Sequence, residues 1–375
     1  MGADEYARRA GLVPVSSFTA TKLRWLRDTE PDNAARVAAV ALPHDWLTWR
    51  LRGYGPAGQS PLGPALAELT TDWSDASGTA YWSPRSGEYD LELFERALGH
   101  PAVLPRILGP GQAAGKTASL LPVHRVPAGI IVGPGAGDNA GAALGLGAGA
   151  GDVIVSIGTS GTASAVTAEP AMDPSGAVAG FADASGRFLP LVATLNAARV
   201  LGSIAELLGV DHDGLARLAL AAQPGSSGVV LVPYFEGERS PNLPNATASF
   251  HGLTIASSTR ANIARAAIEG TLCGLAAGLD AMGAVGVSQR RIMLIGGAAR
   301  DLAVAAVAAQ VFDAPVVVPA AAEYVADGAA VQAAWTLTGQ RPLWPLQMVD
   351  ERAPDHRRVI GDQYERFAGA PSRSR

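Results

Sequence analysis

Residues 153–166 read Val-Ile-Val-Ser-Ile-Gly-Thr-Ser-Gly-Thr-Ala-Ser-Ala-Val. Two runs of β-prone residues flank a short turn with two glycines, a pattern that predicts a β-hairpin. The turn, Gly158-Thr159-Ser160-Gly161, offers backbone N–H groups and hydroxyls with little side-chain bulk, so phosphate oxygens could approach it closely. An ordinary hairpin turn without a ligand is the alternative interpretation of the same residues.

Two motifs of similar composition do not fit this turn. The nucleophile elbow of serine hydrolases requires glycine at position 162, where this chain has threonine. A P-loop requires Gly-Lys-Ser/Thr at the start of a helix, and the turn contains no lysine. The stretch therefore indicates neither a serine hydrolase nor a P-loop nucleotidase.

Upstream of the hairpin, residues 129–132 predict a short buried strand, and Gly135-Ala-Gly-Asp138-Asn139 follows it at the start of a predicted helix. An acidic residue at the carboxyl end of a strand points into the crevice where α/β folds bind ligands. Such a carboxylate could act as a general base toward a substrate hydroxyl. Asp138 could instead cap the helix that begins near Asn139, and the two roles do not exclude each other.

Downstream, residues 291–295 predict a strand that runs into Gly296-Gly297-Ala298-Ala-Arg-Asp before a helix. Glycines at such a position let a base and a ribose lie against the backbone, although many strand-to-helix turns contain paired glycines. The Gly-x-Gly-x-Gly run at 145–149 is not a dinucleotide-binding fingerprint, because it precedes a strand instead of opening a helix.

Composition narrows the class of protein. A chain of 375 residues predicts two domains, and strands alternating with helices downstream of residue 229 predict a mixed α/β fold. A net charge of −5 gives no electrostatic case for nucleic acid, and one cysteine excludes a disulfide framework. The chain has neither a recognisable signal peptide nor an apolar run long enough to span a membrane, so we expect a cytoplasmic protein.

Several stretches of the chain, among them the three glycine-containing sites, occur together in a specific order. These stretches are residues 18–25 (Phe-Thr-Ala-Thr-Lys-Leu-Arg-Trp), 42–46 (Leu-Pro-His-Asp-Trp), 71–79 (Thr-Asp-Trp-Ser-Asp-Ala-Ser-Gly-Thr), 137–139, 156–162, 233–241 (Pro-Tyr-Phe-Glu-Gly-Glu-Arg-Ser-Pro), 269–270, 296–297 and 323–330. With them, the chain resembles the FGGY carbohydrate kinases of the actin-like ATPase superfamily. Within that family it is most similar to the members that phosphorylate D-xylulose.

The resemblance implies a role for each site. Asp138 matches the base that takes the proton from the sugar hydroxyl, and Asn139 would line the sugar pocket. The two nucleotide-binding segments that the resemblance implies are a phosphate-binding turn at Gly158, Thr159 and Ser160 and an adenosine loop at Gly296, Gly297 and Ala298. ATP and Mg²⁺ are the expected cofactors; no histidine has metal-ligand spacing, so Mg²⁺ is expected to arrive with ATP.

The resemblance also implies a two-lobe α/β fold of the actin-like, ribonuclease H-like type with an incomplete first lobe. The expected division is a sugar-binding domain at 1–149, an ATP-binding domain at 150–340 and a polar tail at 341–375. The expected partners are a small sugar and ATP, with no nucleic acid and no membrane, and a homodimer is one expected assembly.

The sequence departs from the family in two places. Ala298-Ala299-Arg300-Asp301 replaces a third glycine followed by Ala-Lys-Ser, and the Asp-x-Gly-Thr phosphate motif and sugar-contacting loop that open family members do not occur. Because phosphoryl transfer depends on positioning and charge neutralisation, we expect low or no kinase activity from residues 1–375 alone. The alternatives are specificity for gluconate, ribulose or glycerol, or a non-catalytic nucleotide-binding remnant.

Several single residues have structural interpretations. Glu238 and Arg239 are expected to form a structural ion pair within a long loop, with contact to the substrate as the alternative. Trp25, Trp46 and Trp49 are expected to be core or interface anchors. Cys273, in the middle of a predicted helix, is expected to be a small core residue.

Overall fold

The computed structural model describes residues 1–118 and 126–369. It divides into two compact units. Unit 1 comprises Met1–Gly149, Val166–Pro190 and Ala322–Pro345, and unit 2 comprises Ala150–Ala165, Leu191–Ala321 and Leu346–Arg375. In the part of the chain that is described, no helix combines the length and the apolar composition that a membrane span requires.

The described residues form the following elements. The helices are α1 (Ala3–Ala10), α2 (Thr19–Thr29), α3 (Pro31–Ala34), α4 (Pro43–Leu51), α5 (Trp73–Ser77), α6 (Leu91–Leu98), α7 (Asp138–Gly145), α8 (Ala198–Leu207), α9 (His212–Ala221), α10 (Arg260–Ala284), α11 (Leu302–Val311), α12 (Tyr324–Thr338) and α13 (Arg358–Ala368). The strands are β1 (Thr70–Asp72), β2 (Trp82–Ser83), β3 (Glu88–Tyr89), β4 (Arg106–Leu108), β5 (Gly115–Lys116), β6 (Ile131–Val132), β7 (Asp152–Ile157), β8 (Gly161–Ala165), β9 (Ala179–Ala182), β10 (Phe188–Thr194), β11 (Val230–Val232), β12 (Ser249–His251), β13 (Arg291–Ile295), β14 (Val316–Pro319) and β15 (Met348–Arg352).

One hydrophobic core of unit 1 forms around Tyr81 and Phe94, whose rings meet edge to face with their centroids 5.1 Å apart. α6 places Leu93, Phe94 and Leu98 on its buried face, and α2 packs against it. The side chain of Asp90 accepts a hydrogen bond from the N–H of Leu93 and so caps α6, as an aspartate at this position commonly does.

The closest helix pair in unit 1 is α7 with α12, and two glycines allow the approach. A Cβ on Gly328 would lie 1.8 Å from the carbonyl oxygen of Gly141, and a Cβ on Gly145 would lie 2.1 Å from that of Tyr324. No side chain fits between backbones this close, so glycine is required there. The contact fixes α7, and with it Asp138, the first residue of that helix.

Unit 2 is built on a sheet with the strand order β15-β14-β13-β7-β8-β10. β14, β13 and β7 run parallel, whereas β15, β8 and β10 pair antiparallel with their neighbours. Val153, Val155, Ile292 and Leu294 are buried on one face of this sheet and Ile154 and Met293 on the other, as expected for strands covered on both faces. α10 is also largely buried and is capped by Thr259, whose hydroxyl accepts from the N–H of Asn262.

The predicted α/β class, the hairpin at 153–166 and the strand at 291–295 are confirmed. The prediction that 341–375 is a polar tail is wrong for the residues that are described. Residues 348–352 form β15 at the edge of the sheet, and α13 buries Ile360 and Tyr364 on one face. Two apolar residues four apart in a polar segment were too weak a signal for a helix.

The predicted domains at 1–149 and 150–340 share one boundary with the units, between Gly149 and Ala150. Two later segments nevertheless group with unit 1 through long-range contacts. The N–H of Gly180 donates to the carbonyl of Gly11 at 3.0 Å, and α12 packs on α7. Because such contacts join residues far apart in sequence, the continuous boundary at 150–340 stays a prediction about family domains and does not describe the spatial units.

Candidate functional site

Asp138 is the first residue of α7, and its carboxylate is exposed. Gly137 is the N-cap residue and makes no side-chain capping bond, so the interpretation of Asp138 as the N-cap is wrong. Its Oδ1 instead accepts hydrogen bonds from the backbone N–H of Asn139 at 2.7 Å and from the Nδ2 of Asn139 at 2.9 Å. The structure therefore places Asp138 and Asn139 together, with the carboxylate held by its neighbour and open to a ligand.

The loop before Asp138 is fastened on two sides within unit 1. Gln332 of α12 accepts from the N–H of Gly135 at 3.1 Å and donates to its carbonyl at 2.7 Å. On the other side, the Oγ of Ser74 accepts from the N–H of Gly137 at 2.9 Å and donates to the Oδ2 of Asp72. Gly135 has φ +94°, and a Cβ there would lie 2.4 Å from the His44 ring, so the loop tolerates no side chain at this point.

Behind this loop lies a charged cluster of His44, Asp45, Asp72 and Asp75. The imidazole contacts Asp75 through Nδ1, and its Nε2 lies 3.3 Å from Asp45 and 3.6 Å from Asp72. Burial opposes a charge on His44, yet the hydrogen bond to Asp75 and the three surrounding carboxylates raise the pKa of the imidazole to about 9. Burial also raises the pKa of Asp45 and of Asp72 to about 6.

Ligand-type atoms of His44, Asp72 and Asp75 lie within 4.8 Å of one another. Asp72, however, already caps α5 by accepting from the N–H groups of Ser74 and Asp75, and the imidazole faces Asp75. We therefore interpret the cluster as an ion-pair network held together by a proton on His44. The expectation that protein side chains hold no metal stays a prediction.

The Gly158–Gly161 turn connects β7 to β8 in unit 2. The last pair of the hairpin is Ile157 with Gly161, and the N–H of Gly158 donates to the carbonyl of Ser160 at 3.1 Å. The side chains of Thr159 and Ser160 are exposed. The turn thus presents two hydroxyls beside accessible backbone, which is the chemistry that the sequence predicted for phosphate binding.

The Gly296 loop lies directly beside this turn. β13 runs parallel to β7 with Ile295 opposite Ser156, so the chain leaves both strands at the same sheet edge. Gly296 has φ +94°, and a Cβ there would lie 2.6 Å from the carbonyl oxygen of Ile157. Gly297 is exposed, and Ala298 is half-buried in the 3₁₀ turn that follows. Two of the three predicted motifs are therefore neighbours in unit 2.

Glu238 differs from its prediction. Its carboxylate is buried and accepts hydrogen bonds from the N–H groups of Leu195 and Arg239 and from the Nδ2 of Asn196, so the expected ion pair with Arg239 is wrong. An ion pair does occur nearby, between exposed Glu236 and Arg199 of α8. Sequence reasoning had no signal for Leu195 and Asn196, because both lie in an irregular segment about 40 residues upstream.

The core prediction is confirmed for Trp49 and Cys273 but not for Trp25 and Trp46. Trp49 is buried, whereas Trp25 and Trp46 are exposed, so of these three residues only Trp49 belongs to the core. Cys273 is buried in α10, which confirms its interpretation as a small core residue. The His44 cluster was missed, because its members come from α4, β1 and α5 and show no recognisable spacing.

Comparison with known proteins gives consistent matches. Residues 1–145 match the profile of the FGGY family of carbohydrate kinases, N-terminal domain, and residues 153–337 match that of its C-terminal domain. The chain is 42% identical to the xylulose kinase of Streptomyces coelicolor over 342 residues, which cover 90% of this chain and 66% of that protein. The xylulose kinase of Streptomyces rubiginosus is also 42% identical, over 91% of this chain and 66% of its own length.

Among solved structures, the crystal structure of xylulose kinase from Bifidobacterium adolescentis is 43% identical, with a TM-score of 0.87 over 98% of this chain and 75% of that one. The crystal structure of a "xyloylose kinase" from Brucella ovis is 26% identical, with a TM-score of 0.82. The chain thus spans 66% of the length of the two Streptomyces relatives and reproduces the fold of the matched structures over nearly all of its own length.

Proposed function

The chain belongs to the FGGY family of carbohydrate kinases, and we propose that it serves the ATP-dependent phosphorylation of a ketose, D-xylulose to D-xylulose 5-phosphate. The substrate is a proposal because the similar xylulose kinases are longer than this chain. Their 42% identity over 90% of this chain or more favours D-xylulose over gluconate, ribulose or glycerol. The proposed reaction uses cytoplasmic ATP, so cytoplasmic localisation is part of the proposal; a homodimer stays a prediction.

The observation that carries the proposal is the exposed carboxylate of Asp138 at the start of α7, directly after a loop that Gln332 and Ser74 hold in place. In the proposed reaction Asp138 takes the proton of the sugar hydroxyl while that oxygen forms a bond to the γ-phosphorus of ATP and the bond to ADP breaks. A base needs an accessible carboxylate with a fixed position, and both conditions are met here. Asn139, which holds the Asp138 carboxylate, is proposed to contact the sugar.

Unit 2 is proposed to bind the nucleotide. The exposed hydroxyls of Thr159 and Ser160 suit phosphate oxygens, and the Gly296–Ala298 loop leaves room for the adenosine at the same sheet edge. Mg²⁺ would enter with the nucleotide and, when bound, neutralise charge on the phosphates. The chain's own part is to hold the phosphates against backbone N–H groups and hydroxyls.

The test is the substitution Asp138→Asn, with Asp213→Asn as the matched control. Asp213 is also an exposed aspartate in the first turn of a helix, α9. We expect Asp138→Asn to lower the rate of D-xylulose phosphorylation by about 10²–10⁴-fold in an assay coupled to ADP release, with binding of a non-hydrolysable ATP analogue unchanged. Asp213→Asn should behave as the wild type.

Calorimetry on the wild type makes the test independent of the turnover rate. The folded chain should bind both the ATP analogue and D-xylulose, and D-ribulose, D-gluconate and glycerol should bind more weakly. Absence of nucleotide binding, or absence of binding of every sugar, would refute the proposed function, as would an Asp138→Asn variant with the turnover of an active wild type.

A further inference from the structure

Glu238 lies in the loop after β11 and is buried, with 4% of its surface exposed. Its Oε1 accepts from the N–H of Arg239 and from the N–H of Leu195, each at 2.7 Å, and its Oε2 accepts from the Nδ2 of Asn196 at 2.9 Å. A buried carboxylate is costly unless hydrogen bonds compensate it, and bonds to an ionised acceptor are stronger than neutral ones. Glu238 therefore joins two segments of unit 2 that are distant in sequence.

Asn196 makes a second connection between the same segments. Its Nδ2 also donates to the carbonyl of Gly237 at 2.7 Å, and Asn196 is itself buried. Both oxygens of the Glu238 carboxylate and the carbonyl of Gly237 thus accept hydrogen bonds from residues 195–196. This arrangement leaves the segment between β10 and α8 little freedom to move.

The residues on either side of the held pair 195–196 contact the Gly158–Gly161 turn. Ala198, the first residue of α8, donates its N–H to the carbonyl of Gly158 at 2.9 Å. At the other end of the turn, a Cβ on Gly161 would lie 2.6 Å from the Oγ1 of Thr194 and 3.4 Å from the Cβ of Ala197. The turn is therefore bonded at one end to Ala198 and packed at the other against Thr194 and Ala197, the residues that flank the Glu238-bonded pair 195–196.

We propose that Glu238 is a positioning residue that sets the geometry of the Gly158–Gly161 turn, and thereby the affinity of unit 2 for the phosphates of a nucleoside triphosphate. The inference rests on the proposed function, which assigns phosphate binding to this turn. Sequence interpretation gave Glu238 only a structural ion pair, and its role here is to orient backbone N–H groups. Hydrogen bonds weaken steeply when donor and acceptor are misaligned, so a displaced turn binds phosphate oxygens less tightly.

Glu236 provides a matched control two residues away. Its carboxylate also connects the loop to α8, through Arg199 Nη1 at 2.6 Å and Nη2 at 2.7 Å. Both side chains are more than half exposed, and such surface pairs contribute little to stability. Glu236→Ala therefore removes an acid from the same loop and an exposed ion pair to α8, and leaves the buried hydrogen bonds of residues 195–196 and the Ala198 bond to Gly158 in place.

The experiment compares Glu238→Ala, Glu238→Gln and Glu236→Ala in the whole chain, well below the melting temperature of each. Calorimetry measures the Kd of a non-hydrolysable ATP analogue and the Kd of D-xylulose, and hydrogen exchange measures protection of the Ala198 amide. We expect Glu238→Ala to raise the nucleotide Kd about tenfold or more and to speed exchange at Ala198. Glu238→Gln keeps one carbonyl oxygen for Leu195 and Arg239, so its effect should be smaller but in the same direction.

Glu236→Ala should leave the nucleotide Kd within about twofold of the wild type, and no variant should change the sugar Kd. If the wild type binds no nucleotide, the proposed function itself is overturned. If the wild type binds nucleotide and the Glu238 variants bind it as Glu236→Ala does, the positioning role alone is overturned. Should Glu238→Ala fail to fold, the Glu238→Gln variant decides between a positioning and a structural role. An unchanged nucleotide Kd, or an equal rise in the sugar Kd, would show that the role of Glu238 is purely structural.

Discussion

Substituting Gly328 by alanine should separate α7 from α12 and destabilise unit 1. A Cβ at this position would lie 1.8 Å from the carbonyl oxygen, 2.6 Å from the carbonyl carbon and 3.0 Å from the Cα of Gly141. All three atoms belong to the backbone of α7, so no side-chain rotation can relieve the overlap. The two helices must move apart by roughly 1–2 Å, because protein interiors have little free volume to absorb the change.

The size of the effect follows from two opposing contributions. Overpacking of a closely packed interior costs about 1–3 kcal/mol and occasionally more, and a backbone-to-backbone overlap belongs at the upper end. Alanine gains about 1 kcal/mol over glycine in helix propensity, which offsets part of that cost. We expect a net loss of about 2 kcal/mol in the free energy of unfolding, or roughly 4–8 °C in melting temperature for a domain of this size class.

Thermal unfolding followed by circular dichroism measures this change, with two glycines as controls. Gly141→Ala lies in the same interface, but its Cβ would meet Val325 at an ordinary 3.4 Å, so its effect should be small. Gly202→Ala in α8 has no atom within 4 Å and should stabilise by about 0.5–1 kcal/mol. A Gly328→Ala variant that melts within about 2 °C of the wild type would refute the reasoning.

Two further predictions concern buried charges. Asp75, Asp45 and Asp72 raise the pKa of His44 to about 9 despite its burial. The ion pairs of His44 therefore stabilise the folded state fully below about pH 6.5, the ordinary imidazole pKa. This stabilisation is lost progressively as the pH rises through 9. The wild type should therefore lose melting temperature between pH 7 and 10 more steeply than His44→Gln, and equal slopes would contradict this. Asp152, 1% exposed, accepts from Arg290 Nη2 at 2.7 Å and Arg291 Nε at 2.8 Å. Asp152→Ala should lower the free energy of unfolding in urea by about 2 kcal/mol, and a loss no larger than that of Glu236→Ala would count against it.

The parts of the fold that sequence could predict are those with local causes. The β7–β8 hairpin follows from β-prone runs around Gly158 and Gly161, and α10 follows from a long run of helix-forming residues. The cap of α10 is Thr259, although Ser257 and Ser258 directly before it are residues of the same capping type. Boundaries are decided by hydrogen bonds of single side chains, which similar neighbouring residues can supply equally well.

The candidate site divides along the same line. Asp138, Gly158 and Gly296 were found because each lies in a short motif with its own local chemistry. The residues that hold those motifs were missed: Ser74 and Gln332 contact the Asp138 loop from 63 and 197 residues away, and Asn196 reaches Glu238 across 42 residues. Polar side chains with such partners have no periodicity and no fixed spacing, so only the folded chain can reveal them.

The glycines of this chain illustrate why the two kinds of information differ. Gly296 and Gly328 look alike in sequence, yet one has φ +94° beside the backbone of Ile157 and the other is an ordinary helical residue pressed against Gly141. Gly296 is required by its own dihedral angles as well as by the nearby backbone of Ile157. Gly328 is required only by its contact with α7, the helix that begins at Asp138. Helix propensity alone would favour alanine at 328. The glycine at 328 is explained by the close approach of α7, because the overlap of a Cβ with the Gly141 backbone costs more than the helix propensity that alanine gains.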